Sequence, residues 1–157
     1  MEAGKRSMRL EAAMEIVTMG KVTVPAVIEN LEDLLRAERG EIRRDEVRRV
    51  EVPDALVDTG AMMLSIPKRM IGPLGLSPFR TRTVRTVGGI VQTTLYRAVQ
   101  LTVQGREFSC DVAEVPDDCP VLIGQIPLEG LDFIVDPIHQ CLIGNPEHGG
   151  EHMIDIF

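Results

Sequence analysis

The chain has no tryptophan, one tyrosine (Tyr96) and four phenylalanines, so aromatic residues fill only 3% of its 157 positions. Rings cannot supply its core, which must be built from Val, Ile, Leu and Met. Cysteine is also scarce. Cys110, Cys119 and Cys141 are an odd number without CxxC spacing, which argues against a disulfide scaffold and fits reduced thiols in a cytoplasmic protein. No apolar run approaches the ~20 residues of a membrane span, and the N-terminus lacks the charged, apolar, small-residue order of a signal peptide. Positive charge is in deficit: 17 Lys and Arg against 24 Asp and Glu leave a net charge of −7. That balance argues against nucleic acid as a main partner, because such binding begins by neutralising phosphates. Two basic stretches, "RRDEVRR" (43–49) and "RTRTVR" (80–85), alternate with acidic or apolar residues and read as solvated strand faces.

What is present suits a single β-rich domain: 44% hydrophobic residues, 14 glycines and 10 prolines. Residues 1–20 are expected to form a helical appendage, with Leu10, Met14 and Val17 on one side of a helix over about 8–19, and 21–157 the domain itself. "KVTVPAVIEN" reads as a strand. "NLEDLLRAERG" carries helix signals: Asn30 as N-cap, acids in the first turn, arginines in the last and Gly40 as stop. Strand patterns resume before Asp58 and again in "MMLSIP", while "KRMIGPLGL" reads as one helical turn broken by Pro73 and Gly75. Two hairpins follow, one turning at Gly88-Gly89 and one at Gln104-Gly105. "PVLIG", a short helix and a final apolar run complete the pattern.

The stretch "ALVDTGAMMLSIP" (55–67) places Asp58 at the end of an apolar strand, followed by Thr59, Gly60 and Ala61. A carboxylate acts as a general acid or base only when its position and protonation are controlled. A buried strand gives rigidity, and Gly60 lets the backbone amide approach the carboxylate. An isolated Asp-Thr-Gly is also a turn sequence, with Asp as turn former. The order of the neighbours decides between these readings. "VDTGA" is followed by the Gly-Gly hairpin, then by "VLIG" and a short helix. Over about residues 21–145 this order resembles the retroviral-type (retropepsin-like) aspartic proteases, in particular their small single-domain cellular members.

The resemblance implies a mostly β acid-protease fold: a closed barrel-like half with a flap hairpin and one short helix. It implies that Asp58 is the catalytic acid, that Thr59, Gly60 and Ala61 continue its active-site loop, and that Thr59 ties the two active-site loops of the dimer together. It makes the hairpin at Val87, Gly88 and Gly89 a flap over an extended peptide or protein substrate, and Val121, Leu122, Ile123 and Gly124 the strand supporting the loop. One Asp-Thr-Gly per chain implies a C2 homodimer pairing Asp58 with its copy, because the chemistry uses two carboxylates sharing a proton. The implied activity is endopeptidase, without cofactor or metal. Two alternatives are an inactive dimeric peptide-binding module and an enzyme that mainly processes itself.

The chain departs from the family pattern in the insert 30–48, in Gln125 where a basic residue is usual, in Pro127 near the helix start, and in the tail "NPEHGGEHMIDIF". Asp111, Asp132 and Asp136 lack a following Thr/Ser-Gly and read as turn or surface acids. His148 and His152, with Glu147 and Glu151, carry a metal-like spacing, but Gly149 and Gly150 break it, and a solvated tail is the favoured reading. A Cys141–His148 nucleophile or zinc pair is disfavoured likewise. "MIDIF" alternates like a terminal strand, and Tyr96 reads as a core residue.

Overall fold

The computed structural model describes residues 21–156; the expected helix at 8–19 and the appendage 1–20 lie outside the described residues. The chain begins with β1 (Val22–Asn30), whose alternation buries Val22, Val24 and Ala26 and exposes Lys21, Thr23 and Pro25. It pairs antiparallel with β2 (Arg49–Val57), and the register slips between Val24 and Ala26. Pro25 and Pro53 meet at that slip, and neither has an N–H for the ladder. Between the two strands, the insert holds α1 (Leu31–Glu38) and a 3-10 turn at Arg44–Glu46. Asn30 caps α1 as expected, its side-chain oxygen accepting from the Asp33 amide at 3.0 Å, and its Nδ2 donates to the Leu74 carbonyl at 2.8 Å. The buried Asp33 carboxylate accepts from Arg48 Nε at 2.7 Å and Nη2 at 2.9 Å. That hydrogen bonding holds Asp33 below the usual carboxylate range and ties α1 to the far end of the insert, just before β2.

The remaining elements are β3 (Leu64–Pro67), α2 (Lys68–Leu74), β4 (Ser77–Thr86), β5 (Gly89–Val103), β6 (Arg106–Val115), β7 (Leu122–Ile123), α3 (Gln125–Leu131), β8 (Phe133–Asp136) and β9 (Cys141–Gly144). The large sheet runs β1-β2-β7-β3-β6-β5-β4, and β5 also pairs with β1. Six strands thus close into a barrel, and β4 lies outside it, paired only to β5. Ile28, Leu64, Ile66, Leu101 and Ile123 are fully buried inside, so the core is aliphatic, as the shortage of rings requires. Among the described residues no helix is long and apolar enough to cross a membrane.

Several expectations need correction. The described residues contain three α-helices, at the three places where the residues carry helix signals, whereas the resemblance implies only one. Pro73 does not break α2, which runs on to Leu74 and stops at Gly75, φ +62°. In so short a helix the proline forfeits little bonding, whereas a Cβ at Gly75 would lie 1.9 Å from Arg48 Nη1. The first hairpin turns at Val87-Gly88, because Thr86 pairs with Gly89, and Gly89 (φ +120°) opens β5 instead of cornering the turn. The second turns at Gln104-Gly105, both at positive φ, as expected. "MIDIF" forms no strand over 153–156: the Met153 amide donates to Asp132 instead, and Ile154 and Ile156 are exposed. Tyr96 packs on the core, its hydroxyl donating to Glu114 Oε1 at 3.0 Å.

Candidate active site

Asp58 sits where β2 leaves the barrel. The parallel β2–β7 ladder fixes its backbone: Leu56 N donates to Val121 O at 2.8 Å, and Asp58 N to Ile123 O at 3.0 Å. The loop then folds on itself. Ala61 N donates to Asp58 O at 3.1 Å, and Gly60 N donates to the Asp58 carboxylate at 2.9 Å. A side chain at position 60 would crowd that same oxygen at 3.2 Å. The carboxylate is therefore oriented by the loop's own backbone, and Asp58 is half-buried while Thr59 and Gly60 are exposed.

The start of α3 holds the far side of the loop. Gly124 N donates to Met63 O at 3.1 Å, Gln125 N to Ala61 O at 2.8 Å and Ile126 N to Met62 O at 3.0 Å. The first amides of a helix lack partners within it, and here the loop carbonyls supply them. Position 124 must be glycine for a steric reason: a Cβ would lie 2.5 Å from Met63 O, 2.7 Å from Met62 C and 2.8 Å from Ala61 O. Gln125 makes its contact through its backbone, so the absence of a basic side chain leaves the loop's support intact. Pro127 falls in the first turn, where its missing N–H is harmless.

Val121 and Ile123 thus hold the backbone of Leu56 and Asp58, Leu122 pairs with Leu56 and Ser65, and Gly124 packs against Ala61, Met62 and Met63. Two other groups of expected site residues stand apart. The Thr59 hydroxyl has no hydrogen-bond partner among the described residues. Val87, Gly88 and Gly89 form the exposed tip of the β4–β5 hairpin, braced by Thr86 Oγ1 donating to Gly89 O at 3.0 Å. Exposed apolar side chains flank both places: Met62 (69% exposed) and Ile126 (46%) beside the loop, Ile90 (69%) on the hairpin.

A second polar cluster contradicts the reading of Asp132 as a surface acid and of His148 as part of a solvated tail. Asp132 is buried, in left-handed conformation (φ 58°) at the end of α3. Its carboxylate accepts from His148 Nδ1 at 2.7 Å, the Met153 amide at 3.0 Å and Asn145 Nδ2 at 3.2 Å. His148 Nε2 meets Asp155 at 3.1 Å. Burial alone would raise Asp132, but the bonds from His148, Met153 and Asn145 outweigh it and hold the carboxyl at about 2. The same bond from Asp132, then that from Asp155, raises His148. This clasp straps the tail to the α3–β8 corner, and it occupies both His148 nitrogens, so His148 does not serve Cys141. The legible signal was position: a non-glycine residue capping a helix in the left-handed region is most often Asp or Asn. Among the described residues no group of three His, Cys, Asp or Glu is placed to hold a metal. Cys110 is no nucleophile, since burial and then the neighbouring Asp111 push its thiol up to about 12.

Residues 50–135, from β2 through the Asp58 loop and hairpin into β8, match the family model described as "gag-polyprotein putative aspartyl protease". A search of curated proteins finds no match to the chain.

Proposed function

The chain belongs to the gag-polyprotein aspartyl protease family of retroviral-type, retropepsin-like proteins, and on that premise we propose that it is a homodimeric aspartic endopeptidase built on Asp58. The observation that carries the proposal is the Asp58 loop itself. Its carboxylate is oriented by the Gly60 amide, its backbone is pinned to β7 and α3, and its outer side is open. Such fixation suits a group that must hold a water molecule in one geometry.

In the proposed reaction two Asp58 carboxylates, one from each chain, share a single proton, since like charges that close cannot both ionise. A water between them gives a proton to the ionised carboxylate as its oxygen attacks the peptide carbonyl. The protonated carboxylate gives its proton to the carbonyl oxygen. Collapse of the tetrahedral intermediate, with a proton delivered to the departing nitrogen, yields a carboxylic acid and an amine. No cofactor takes part. The unpartnered Thr59 hydroxyl and the exposed Met62 and Ile126 favour a second copy across the loop. The hairpin carrying Val87, Gly88 and Gly89 is assigned to cover an extended peptide, binding it by main-chain hydrogen bonds.

Cleavage of a peptide library by wild type and by Asp58→Asn tests this. The proposal expects a loss of several powers of ten in kcat/KM in the variant, with the dimer retained. Retained cleavage would move the chemistry elsewhere, and peptide binding without cleavage in the wild type would identify an inactive binding module.

A further inference from the structure

The sheet around Asp58 has two chemically different faces. On one, Val57, Ile123, Leu64, Val112 and Tyr96 stand in a row across β2, β7, β3, β6 and β5, and all belong to the core or pack on it. On the other, Leu122, Ser65, Ala113, Leu95 and Arg80 form the adjoining row, each paired directly with the next. Side chains alternate along a strand, so Asp58, which follows Val57 and extends the β2–β7 ladder, leaves on this second face. Ser65, Ala113 and Leu95 are buried there although they are not part of the core cluster. Arg82, two residues beyond Arg80 and opposite Thr93, continues the same face outward.

Charge is segregated in the same way. Residues 59–106 hold seven of the 17 Lys and Arg and none of the 24 Asp and Glu. Arginines of the insert are matched by acids: Arg36 and Arg39 by Glu41, Arg43 by Asp45, Arg44 by Glu29 and Arg48 by Asp33. On β4 the pattern stops. Arg82 and Arg85 are exposed and have no partner among the described residues, and the Arg80 guanidinium rests only on the Phe79 ring, 5.3 Å from its centroid. Solubility does not call for such a ribbon in a chain of net charge −7.

We infer that the β4–β5 ribbon selects acidic substrates: Arg80 and Arg82, on the face that carries Asp58, pair with Asp or Glu side chains of the bound peptide. The inference rests on the peptidase reading above. Register sets where those acids fall. Four strand steps of ~4.8 Å separate Leu122 from Arg80, at most ~19 Å along the sheet, which an extended peptide spans in about six residues. The acidic residues therefore lie within about six residues of the scissile bond, and away from the bond itself, where the Asp58 pair repels them.

The test uses paired peptides with one cleavable sequence and either two Glu or two Gln scanned across those positions. At low salt the wild type should cleave the best Glu peptide about tenfold faster in kcat/KM than its Gln partner. In the Arg80→Gln/Arg82→Gln variant the Glu-to-Gln ratio should fall to near one, whereas Arg85→Gln, on the opposite face, should keep it. A wild-type ratio near one at every position, or a ratio that survives in the double variant, overturns the inference. If neither peptide of any pair is cleaved, the peptidase reading fails separately, and fluorescence anisotropy on the same pairs decides. Tighter Glu binding that the double variant loses upholds acidic recognition, and equal binding refutes it.

Discussion

Substituting alanine for Gly124 adds one methyl group where the Asp58 loop meets α3, and the structure fixes what it would meet. Its nearest neighbours are backbone atoms at 2.5, 2.7 and 2.8 Å, with no side-chain end that could swing away. Ordinary contacts lie near ~3.5 Å, so the loop or the helix must retreat by about 0.7–1 Å. That retreat stretches the three bonds joining Gly124, Gln125 and Ile126 to loop carbonyls. Each contributes about 1 kcal/mol net, and with the strain of overpacking the cost is about 2–4 kcal/mol. For a chain of this size that is a fall of roughly 5–15 °C in Tm. Far-UV circular dichroism with urea and heat is the appropriate assay, because the protein has no tryptophan. Displacing the Asp58 backbone by such an amount should also lower kcat/KM by about 10²-fold in whatever fraction stays folded. A variant with Tm within about 1 °C of wild type and undiminished cleavage would refute the close-approach argument.

The other predictions concern single side chains. Thr59→Ala should raise the dimer dissociation constant in sedimentation equilibrium while leaving the monomer fold intact; unchanged association would remove the bracing role. Ala61→Ser sets a hydroxyl donor beside the proposed pair of carboxylates, which would favour their ionised form, so the acidic limb of the kcat/KM profile should move to lower pH. A limb that stays put would sink that argument. In the tail clasp, the depressed Asp132 adds stability that is present above about pH 4 and lost towards 2, and the raised His148 adds stability that is present below about pH 6.5 and lost above it. The Tm difference between wild type and His148→Gln should therefore be largest between those limits, and a difference that is flat across pH would refute the clasp.

Local signals were legible and long-range ones were not. Asn30 announced its helix because a cap acts within three residues, and Gln104-Gly105 announced its turn because both need positive φ. The tip of the first hairpin was misplaced by one residue because cross-strand register, which composition does not encode, pairs Thr86 with Gly89. Asp58 stood out because "VDTGA" and "VLIG" are contiguous strings. The steric need at Gly124, by contrast, arises from a loop some sixty residues earlier in the chain. The Asp132 clasp was missed for the same reason: its partners Asn145, His148 and Met153 come together only after β8 and β9 fold back. Arg80 and Arg82 look like any solvated strand face until the register sets Arg80 in a row with Ser65 and Leu122 and Arg82 on the same face beyond it.

The central claim is that one active site is assembled from two Asp58 side chains, and subunit mixing tests it most directly. Wild-type protein at fixed concentration is equilibrated with increasing amounts of Asp58→Asn protein, and peptide hydrolysis is measured after subunit exchange. If the site is shared, mixed dimers are inactive, and activity falls to roughly half at a one-to-one ratio and continues downward as variant is added. Activity that stays constant throughout, with exchange verified by mass spectrometry, would mean that each chain carries a complete site and would contradict the account.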